Sequence, residues 1–331
     1  MRLVMFGAGP FAAPTFRALF DTPHTVVALV TQPVRIVRGK AAGAPSPLRL
    51  EAERRGLPIF DPADVNSAEA RAELARFAAD LYVVADYGQI LSPETLSLPS
   101  QGSINLHGSL LPKYRGAAPI NWAVFHGEPV MGVSVIGVTP KVDAGAVYAQ
   151  ASIDVAPGET ALELETRLAA LGAPLVCQVI DAIERGEATA LPQDMAAATR
   201  ARRLRKTDGA IDWSKNAVAI ENQWRALQPW PGCYTYWLRT DGEPLRLILG
   251  RVRAIGRDLP PDMIESAGAS AAPGEVLPAE PGELRVATGA GALRIEQVQP
   301  AGRQMMAAAD FLRGHPIRPG DRLGPGEDEA L

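Results

Sequence analysis

Cysteine, histidine and aromatic side chains are all scarce in this sequence. Its 331 residues include two cysteines, four histidines and 6% aromatic residues. Two cysteines, Cys177 and Cys233, are too few to stabilise a chain of this length by disulfides, and they lack the paired spacing of metal ligands. The sequence therefore predicts a reducing compartment, the cytoplasm. His24, His126 and His315 have no cysteine or second histidine at ligand spacing, which argues against a zinc site.

Long apolar stretches are the next feature that the sequence lacks. The opening residues, MRLVMFGAGPF, predict a β-strand and a glycine turn rather than a signal peptide, because only about six apolar residues precede the turn. We find no window that approaches the roughly 18 apolar residues of a membrane-spanning helix. With 47% hydrophobic and 21% charged residues, the chain can nevertheless bury a core, which excludes disorder of the whole chain.

The formal charge of -4 hides an uneven distribution of charged residues. Residues 200–257 carry 12 basic against 5 acidic side chains, a net charge of +7. The window opens with five cations in seven residues: Arg200, Arg202, Arg203, Arg205 and Lys206. Such a block is able to contact phosphates on a chain that is acidic overall, and it also fits a solvated linker without a partner.

Short apolar runs alternate with helical patterns along the first half of the chain. The runs predict strands at 3–6, 26–31, 81–85, 103–107 and 132–138. The helical patterns cover 13–20, 46–55, 66–79 and 159–186. This alternation predicts an α/β domain over residues 1–190, with an open, mostly parallel sheet covered by helices on both faces.

The second half of the chain has a different pattern. Residues 191–207 are alanine-rich and then basic, and they predict a linker. Short strand-like runs separated by turns follow at 234–238, 244–252, 274–277, 284–288 and 292–298. Their close spacing predicts a small barrel or sandwich within a second domain, residues 208–331.

A glycine turn follows the first strand. Gly7 to Ala12 have the G-x-G-x-x-A spacing of a dinucleotide site, but the second predicted strand ends in Val30-Thr31-Gln32 without the acidic residue that binds a ribose. Pro10 also removes an N–H that a pyrophosphate would need. The sequence therefore argues against a nicotinamide cofactor.

The most informative segment is GSINLHGSLLPKYRGAAPI, residues 102–120. Asn105 and His107 lie two positions apart on a predicted strand, so both side chains leave the same face near its carboxyl end. An amide donor beside an imidazole suits acyl transfer, and Asp143, in the segment TPKVDAGAV, is able to orient the imidazole. A structural histidine and a turn aspartate bonded to its own backbone are the alternative interpretation.

At these residues the chain resembles the methionyl-tRNA formyltransferase family. The run from Asn105 to Pro119 matches the family's signature loop almost unbroken. Phe6–Ala12 stands where the family commonly has a G-T-P-x-F-A turn, and Val84–Leu91 resembles its A-Y-G-x-I-L segment. Further resemblances in the second half are IDWS at 211–214 and RALQPWP at 225–231.

The resemblance implies an N-terminal Rossmann-like formyltransferase domain and a small C-terminal OB-like β-barrel. It implies that Asn105 and His107 hold the formyl oxygen and that Asp143 orients His107, with 10-formyltetrahydrofolate as co-substrate and no metal. The folate pocket it implies is formed by Tyr87, Gly88, Ile90, Ser109, Leu110, Leu111 and Pro112. Phe11 matches the family residue near the methionyl side chain.

The same resemblance implies initiator methionyl-tRNA as the partner, bound by a monomer without a membrane or a protein partner. The tRNA contacts it implies are Arg35, Arg38 and Lys40 in an inserted loop and Arg202, Arg203, Arg205 and Lys206 in the linker. Two alternatives stay open: a related formyltransferase acting on an amino sugar nucleotide, and a non-catalytic RNA-binding protein on the same fold. The cationic window favours tRNA over the sugar nucleotide.

Overall fold

The chain folds into two compact units that interleave along the sequence. The computed structural model describes residues 1–34, 36–37, 40–41, 46–239, 242–255 and 271–326. The first unit comprises Met1–Ile120, Pro129–Ala156 and Glu163–Arg202. The second unit comprises Asn121–Glu128, Pro157–Leu162 and Arg203–Leu331. Two short segments from the first half of the chain therefore belong to the second unit.

A seven-stranded sheet forms the core of the first unit, with the strand order β10-β9-β7-β6-β1-β2-β5. Its strands are β1 (Arg2–Gly7), β2 (Thr25–Val30), β5 (Ile59–Phe60), β6 (Leu81–Ala85), β7 (Ser103–His107), β9 (Val130–Gly137) and β10 (Val147–Asp154). Strands β5, β2, β1, β6 and β7 run parallel to one another. Strand β9 runs antiparallel to β7, and β10 runs antiparallel to β9. Their apolar side chains are buried because helices cover a parallel sheet on both faces. The expected α/β class is confirmed.

Four two-residue strands of the first unit lie outside that sheet and form two separate pairs. They are β3 (Ile36–Val37), which pairs with β4 (Lys40–Ala41), and β8 (Arg115–Gly116), which pairs with β11 (Arg200–Ala201). The β8–β11 pair joins the loop after β7 to the segment that ends the first unit.

Serine caps begin several helices of the first unit. The helices that precede the linker are α1 (Ala13–Leu19), α2 (Pro47–Arg55), α3 (Ala68–Arg76), α4 (Pro93–Leu96), α5 (Pro119–His126) and α6 (Ala161–Glu184). Ser46, Ser67 and Ser92 accept backbone N–H groups at the starts of α2, α3 and α4. Helices α4 and α5 had no predicted counterpart, because each is short and lacks a long amphipathic pattern.

Helix α6 corrects one expectation from the sequence. Among the described residues it is the one helix whose length and composition would allow it to cross a membrane, so the statement that no window approaches such a stretch is wrong. Buried core helices pass the same test. Gly172 of α6 lies so close to β7 that an added Cβ would stand 2.7 Å from Cδ2 of Leu106, and Leu168 and Val176 are also buried.

The second unit contains an antiparallel sheet with the order β14-β15-β16-β13-β12-β18. Its strands are β12 (Cys233–Leu238), β13 (Leu245–Ile255), β14 (Val276–Leu277), β15 (Leu284–Ala287), β16 (Ala292–Pro300), β17 (Met306–Ala307) and β18 (Arg322–Gly324). A bridge between Glu275 and Arg322 joins the two edges, and the N–H of Val276 donates to the carbonyl of Asp321. The sheet therefore closes into the expected small barrel.

Helices α7 (Ala217–Ala226) and α8 (Ala308–Gly314) lie wholly in the second unit, and most of α5 belongs to it as well. The end of α7 is held by Asn121, whose side-chain amide donates to the carbonyl of Ala226 over 2.7 Å. Arg225 donates to the carbonyl of Glu159 over 2.8 Å. Both contacts lie inside the second unit and explain why segments 121–128 and 157–162 are grouped with it.

Candidate active site

Strand β7 carries Asn105 and His107 to the carboxyl edge of the parallel strands. Asn105 lies between Val84 of β6 and Ile136 of β9, and His107 lies beside Ser134. Asn105 is half-buried and His107 is buried. Within the described ranges the side-chain amide of Asn105 makes no hydrogen bond, so its two N–H groups are available to a bound molecule.

His107 and Asp143 come together, as the sequence predicted. His107 Nδ1 lies 3.6 Å from Asp143 Oδ2, and His107 Nε2 lies 2.9 Å from the carbonyl oxygen of Tyr114. Because a carbonyl only accepts, Nε2 carries a proton and Nδ1 faces the carboxylate. The same carboxylate oxygen accepts the N–H of Gly116 over 2.8 Å. The imidazole is thus held by a hydrogen bond at Nε2, and its Nδ1 lies next to the Asp143 carboxylate.

Asp143 lies in a tight turn between β9 and β10. Its φ of 49° is left-handed, a conformation that aspartate tolerates better than most residues. Gly145 in the same turn approaches Gly137 so closely that a Cβ would stand 1.7 Å from the Gly137 carbonyl oxygen. This close approach requires glycine, which accounts for the D-A-G-A sequence of the turn.

The loop after His107 is held by hydrogen bonds from polar side chains. Ser134 Oγ donates to the carbonyl of Ser109 over 2.6 Å and accepts the N–H of Leu111 over 3.0 Å. Gln150 donates to the carbonyl of Leu111 over 2.9 Å and to Ser134 Oγ over 2.8 Å. The Ser109 hydroxyl donates to the carbonyl of Lys113 over 2.7 Å. The loop therefore has a fixed backbone against which a ligand can bind.

The residues expected to line a folate pocket differ in accessibility. Ile90 is 65% exposed and Gly88, with a φ of 88°, is exposed beside it. Leu110 and Pro112 are partly exposed, whereas Ser109 and Leu111 are buried.

Tyr87 is 2% exposed, and its ring packs edge-on against Phe6 with centroids 5.3 Å apart. Its side chain thus belongs to the core, and it is the Tyr87 carbonyl that bonds to the Gln32 amide at 2.8 Å.

Phe11 reaches the signature loop from the glycine turn. Its side chain is 6% exposed, and its Cζ lies 3.6 Å from the place where a Cβ on Gly108 would stand. The N–H groups of Ala8 and Gly9 donate to the carbonyl of Asp86. The turn is therefore tied to the end of β6, and its backbone donors are already used.

Asp86 is a candidate residue that the sequence reasoning missed. It follows β6 with a left-handed φ of 44°, and its side chain is exposed. Desolvation by the surrounding protein nevertheless raises the pKa of Asp86 to about 6. A Cβ on Gly9 would stand 1.6 Å from Asp86 Oδ2, so the carboxylate fills the space that the glycine leaves. The signal in the sequence was an acid directly before Tyr87-Gly88 at a strand end.

A second acid faces Asp86 from α6. Burial and the charge of Asp86 both raise the pKa of Glu165. Among the described residues there is no group of three or more histidine, cysteine, aspartate or glutamate side chains that could hold a metal ion.

The predicted tRNA-contacting residues fall into two sets. Arg35 and Arg38 lie outside the described residues, and Lys40 is described only as part of β4. The linker cations Arg202, Arg203, Arg205 and Lys206 are all exposed. Arg202 ends the first unit and Arg203 begins the second.

Comparison with known proteins gives two family matches that cover most of the chain. The formyl transferase model matches residues 1–180, and the formyl transferase C-terminal domain model matches residues 203–316. The methionyl-tRNA formyltransferase of Roseiflexus castenholzii is 40% identical over 98% of this chain and 99% of its own length. The enzyme of the same name from Citrifermentans bemidjiense is 37% identical over 98% of this chain and 96% of its own length.

Among solved structures, an N-formyltransferase from Helicobacter canadensis, in complex with folinic acid and dTDP-3-aminofucose, has a similar fold. Its TM-score is 0.63 at 15% identity, covering 88% of this chain and 98% of its own. At this identity the likeness concerns the fold alone.

Proposed function

Since the chain belongs to the methionyl-tRNA formyltransferase family, we propose that it transfers the formyl group of 10-formyltetrahydrofolate to the free amino group of initiator methionyl-tRNA. The observation that supports this reaction is the His107–Asp143 contact beside the Asn105 amide at one strand end. The amine of the methionyl ester is itself the nucleophile, so the reaction requires no activated serine or cysteine.

In the proposed mechanism the amine attacks the formyl carbon and the formyl oxygen becomes tetrahedral and negative. Asn105 stabilises that oxygen through its side-chain N–H, and His107 does so through an N–H at Nδ1, because its Nε2 already donates to the carbonyl of Tyr114. Asp143 orients His107 and takes part in moving the proton that the amine loses. The C–N bond to the folate then breaks, and tetrahydrofolate leaves with a proton on its nitrogen.

We assign the folate side of the site to Gly88, Ile90, Leu110 and Pro112, which solvent reaches, together with the backbone of Tyr87, Ser109 and Leu111. Phe11 is assigned to the methionyl side chain because its ring packs beside Gly108, next to His107. We further propose that the enzyme acts as a cytoplasmic monomer and uses neither a metal nor a nicotinamide cofactor.

The experiment that tests the reaction offers three acceptors to the purified protein with 10-formyltetrahydrofolate. They are charged initiator methionyl-tRNA, charged elongator methionyl-tRNA and an amino sugar nucleotide. We expect transfer to the initiator alone. Transfer to the sugar nucleotide alone would keep the site residues and refute the tRNA assignment, and no transfer to any acceptor would refute the proposed reaction.

We assign phosphate contacts on the tRNA to Arg35, Arg38 and Lys40 and to the linker cations Arg202, Arg203, Arg205 and Lys206. Replacing Arg203 and Arg205 with Ala should weaken tRNA binding and reduce the slope of log affinity against log salt by about 2 in all, since each phosphate contact contributes about 1. Folate binding should stay unchanged in the same variant. An unchanged salt slope would remove these two residues from the assignment.

A further inference from the structure

The linker segment before Arg203 lies along the two loops that hold His107 and Asp143. Residues 191–202 belong to the first unit, and Leu191 already pairs with Val147 of β10 through two backbone hydrogen bonds of 2.8 and 2.9 Å. Further along, the segment makes side-chain bonds to the Asp143 turn and backbone bonds to the loop after His107. These contacts join residues 48 to 85 positions apart in the sequence.

Gln193 holds the turn that carries Asp143. Its side-chain Nε2 donates to the carbonyl of Asp143 over 2.8 Å and to the carbonyl of Gly145 over 2.7 Å. Its Oε1 accepts Nε of Arg115 over 3.0 Å and Nη2 of Arg115 over 2.6 Å. Both amide hydrogens and both lone pairs of one side chain are thus used. Because Asp143 has a left-handed backbone, the turn depends on such contacts to keep its conformation.

Thr199 holds the loop that carries the partner of His107. Its Oγ1 accepts the N–H of Tyr114 over 2.8 Å, and the carbonyl of the same Tyr114 accepts His107 Nε2 over 2.9 Å. Its own carbonyl accepts the N–H of Arg115 over 2.9 Å. Tyr114 has a left-handed φ of 60°, so the peptide that bonds to the imidazole is also held in an uncommon conformation.

We propose that Gln193 and Thr199 are positioning residues for the proposed formyl transfer, holding Asp143 and His107 at the distance and orientation that proton transfer requires. The inference rests on the proposed function and concerns the same site. Each residue acts through one further group: Gln193 through the Asp143 turn, and Thr199 through Tyr114. These two linker residues accordingly support the site, so this part of the linker does more than connect the two units.

The test compares Gln193→Ala and Thr199→Val with the full-length parent protein. A displacement of a reacting group by about 1 Å costs up to about a hundredfold in rate, so we expect kcat to fall between about tenfold and a hundredfold in each variant. KM for both substrates should stay within about twofold, because neither residue is assigned a substrate contact. The pH dependence of kcat should also shift, since the environment of His107 changes.

Two further variants separate positioning from general stability. Thr199→Ser keeps the hydroxyl that accepts the Tyr114 N–H and should restore most of the rate lost in Thr199→Val. Asp194→Ala alters the neighbouring side chain, whose carboxylate accepts the N–H of Ala196 and no other donor among the described residues, and it should leave kcat unchanged. If kcat in both Gln193→Ala and Thr199→Val stays within about twofold of the parent, or if Thr199→Ser is as slow as Thr199→Val, positioning is refuted.

A measurement without substrate keeps this inference separate from the proposed reaction. The imidazole nitrogen and proton signals of His107 can be assigned by NMR through their loss in His107→Gln. We expect Thr199→Val and Gln193→Ala to move these signals while those of the other histidines stay in place. Unmoved His107 signals in folded variants would refute the inference, whereas a parent protein that transfers no formyl group would refute the reaction alone.

Discussion

Two aspartates of the first unit share an uncommon backbone conformation and differ in almost everything else. Asp86 has a φ of 44° and Asp143 a φ of 49°. The carboxylate of Asp143 accepts the N–H of Gly116 and faces His107, whereas among the described residues none donates to that of Asp86. The backbone conformation of an aspartate thus does not define its role. The hydrogen-bond donors around its carboxylate do.

The larger prediction uses this difference directly. Asp143→Ala should cost about 3 to 4 kcal/mol of transition-state stabilisation, about a hundredfold to a thousandfold in kcat/KM, and Asn105→Ala should cost as much. Asp86→Ala should cost less than about tenfold, because the Asp86 carboxylate is not bonded to His107. The measurement is steady-state formyl transfer to methionyl-tRNA by the three variants.

The isosteric variant Asp143→Asn serves as the control for folding. Its amide oxygen still accepts the N–H of Gly116, so its melting temperature should match that of the parent while its rate falls. Equal rates for the Asp143 and Asp86 variants would contradict the division of roles between the two acids.

A smaller effect is expected from filling the space at Gly9. In Gly9→Ala the new Cβ would stand 1.6 Å from Asp86 Oδ2, so the carboxylate must move. Because the end of an exposed side chain can swing aside, the cost in unfolding free energy should be only about 1 kcal/mol, at the lower end for overpacking. Urea denaturation measures it.

The double variant Gly9→Ala with Asp86→Ala tests the cause of that loss. Removing the carboxylate should recover most of the lost stability, because the two changes affect one contact. Strictly additive losses would show that the turn, and not the carboxylate, carries the strain.

A further prediction concerns pH. The pKa of Asp86 is raised from 3.8 to about 6 by desolvation, so between these values the folded protein holds a proton that the unfolded chain has released. The contribution of Asp86 to the unfolding free energy is therefore at its maximum below about pH 4 and is lost as pH rises to about 6. Asp86→Asn should become more stable relative to the parent over this range.

The comparison needs a control for the neighbouring acid. Glu165 faces Asp86, and its pKa is raised as well, so it titrates in the same direction in both proteins. Urea denaturation of parent, Asp86→Asn and Glu165→Gln at several pH values separates the two contributions. A stability difference between Asp86→Asn and the parent that does not change with pH would contradict the assignment.

The parts of the fold that follow from local pattern were predictable from sequence. Strands 81–85 and 103–107 were placed by their apolar runs, and the barrel by its short, closely spaced strands. The edge strand β10 was missed because alternate half-buried and exposed residues replace the continuous apolar run of a central strand. The segments 121–128 and 157–162 joined the second unit through contacts distant in sequence, which no local pattern contains.

Within the candidate site, the resemblance predicted that His107 and Asp143 would lie together, and their catalytic roles remain a prediction. The interior position of the Tyr87 ring was not predictable, because a motif match specifies a position in the chain and not the direction of a side chain. The roles of Gln193 and Thr199 were not predictable, because the sequence around them is alanine-rich and polar and resembles a solvated linker. Only the three-dimensional structure brings them to the Asp143 turn and Tyr114.

The pairing of β8 with β11 has a consequence for how such proteins recombine. A gene fusion that exchanged the barrel for another domain at the end of α6, near residue 185, would discard the strand Arg200–Ala201 that pairs with Arg115–Gly116. A junction after Arg202 would retain that strand. Functional chimaeras should therefore accept a different domain after Arg202 and require the native sequence up to that residue. The unit that must be inherited as a whole thus extends beyond its last long helix, α6.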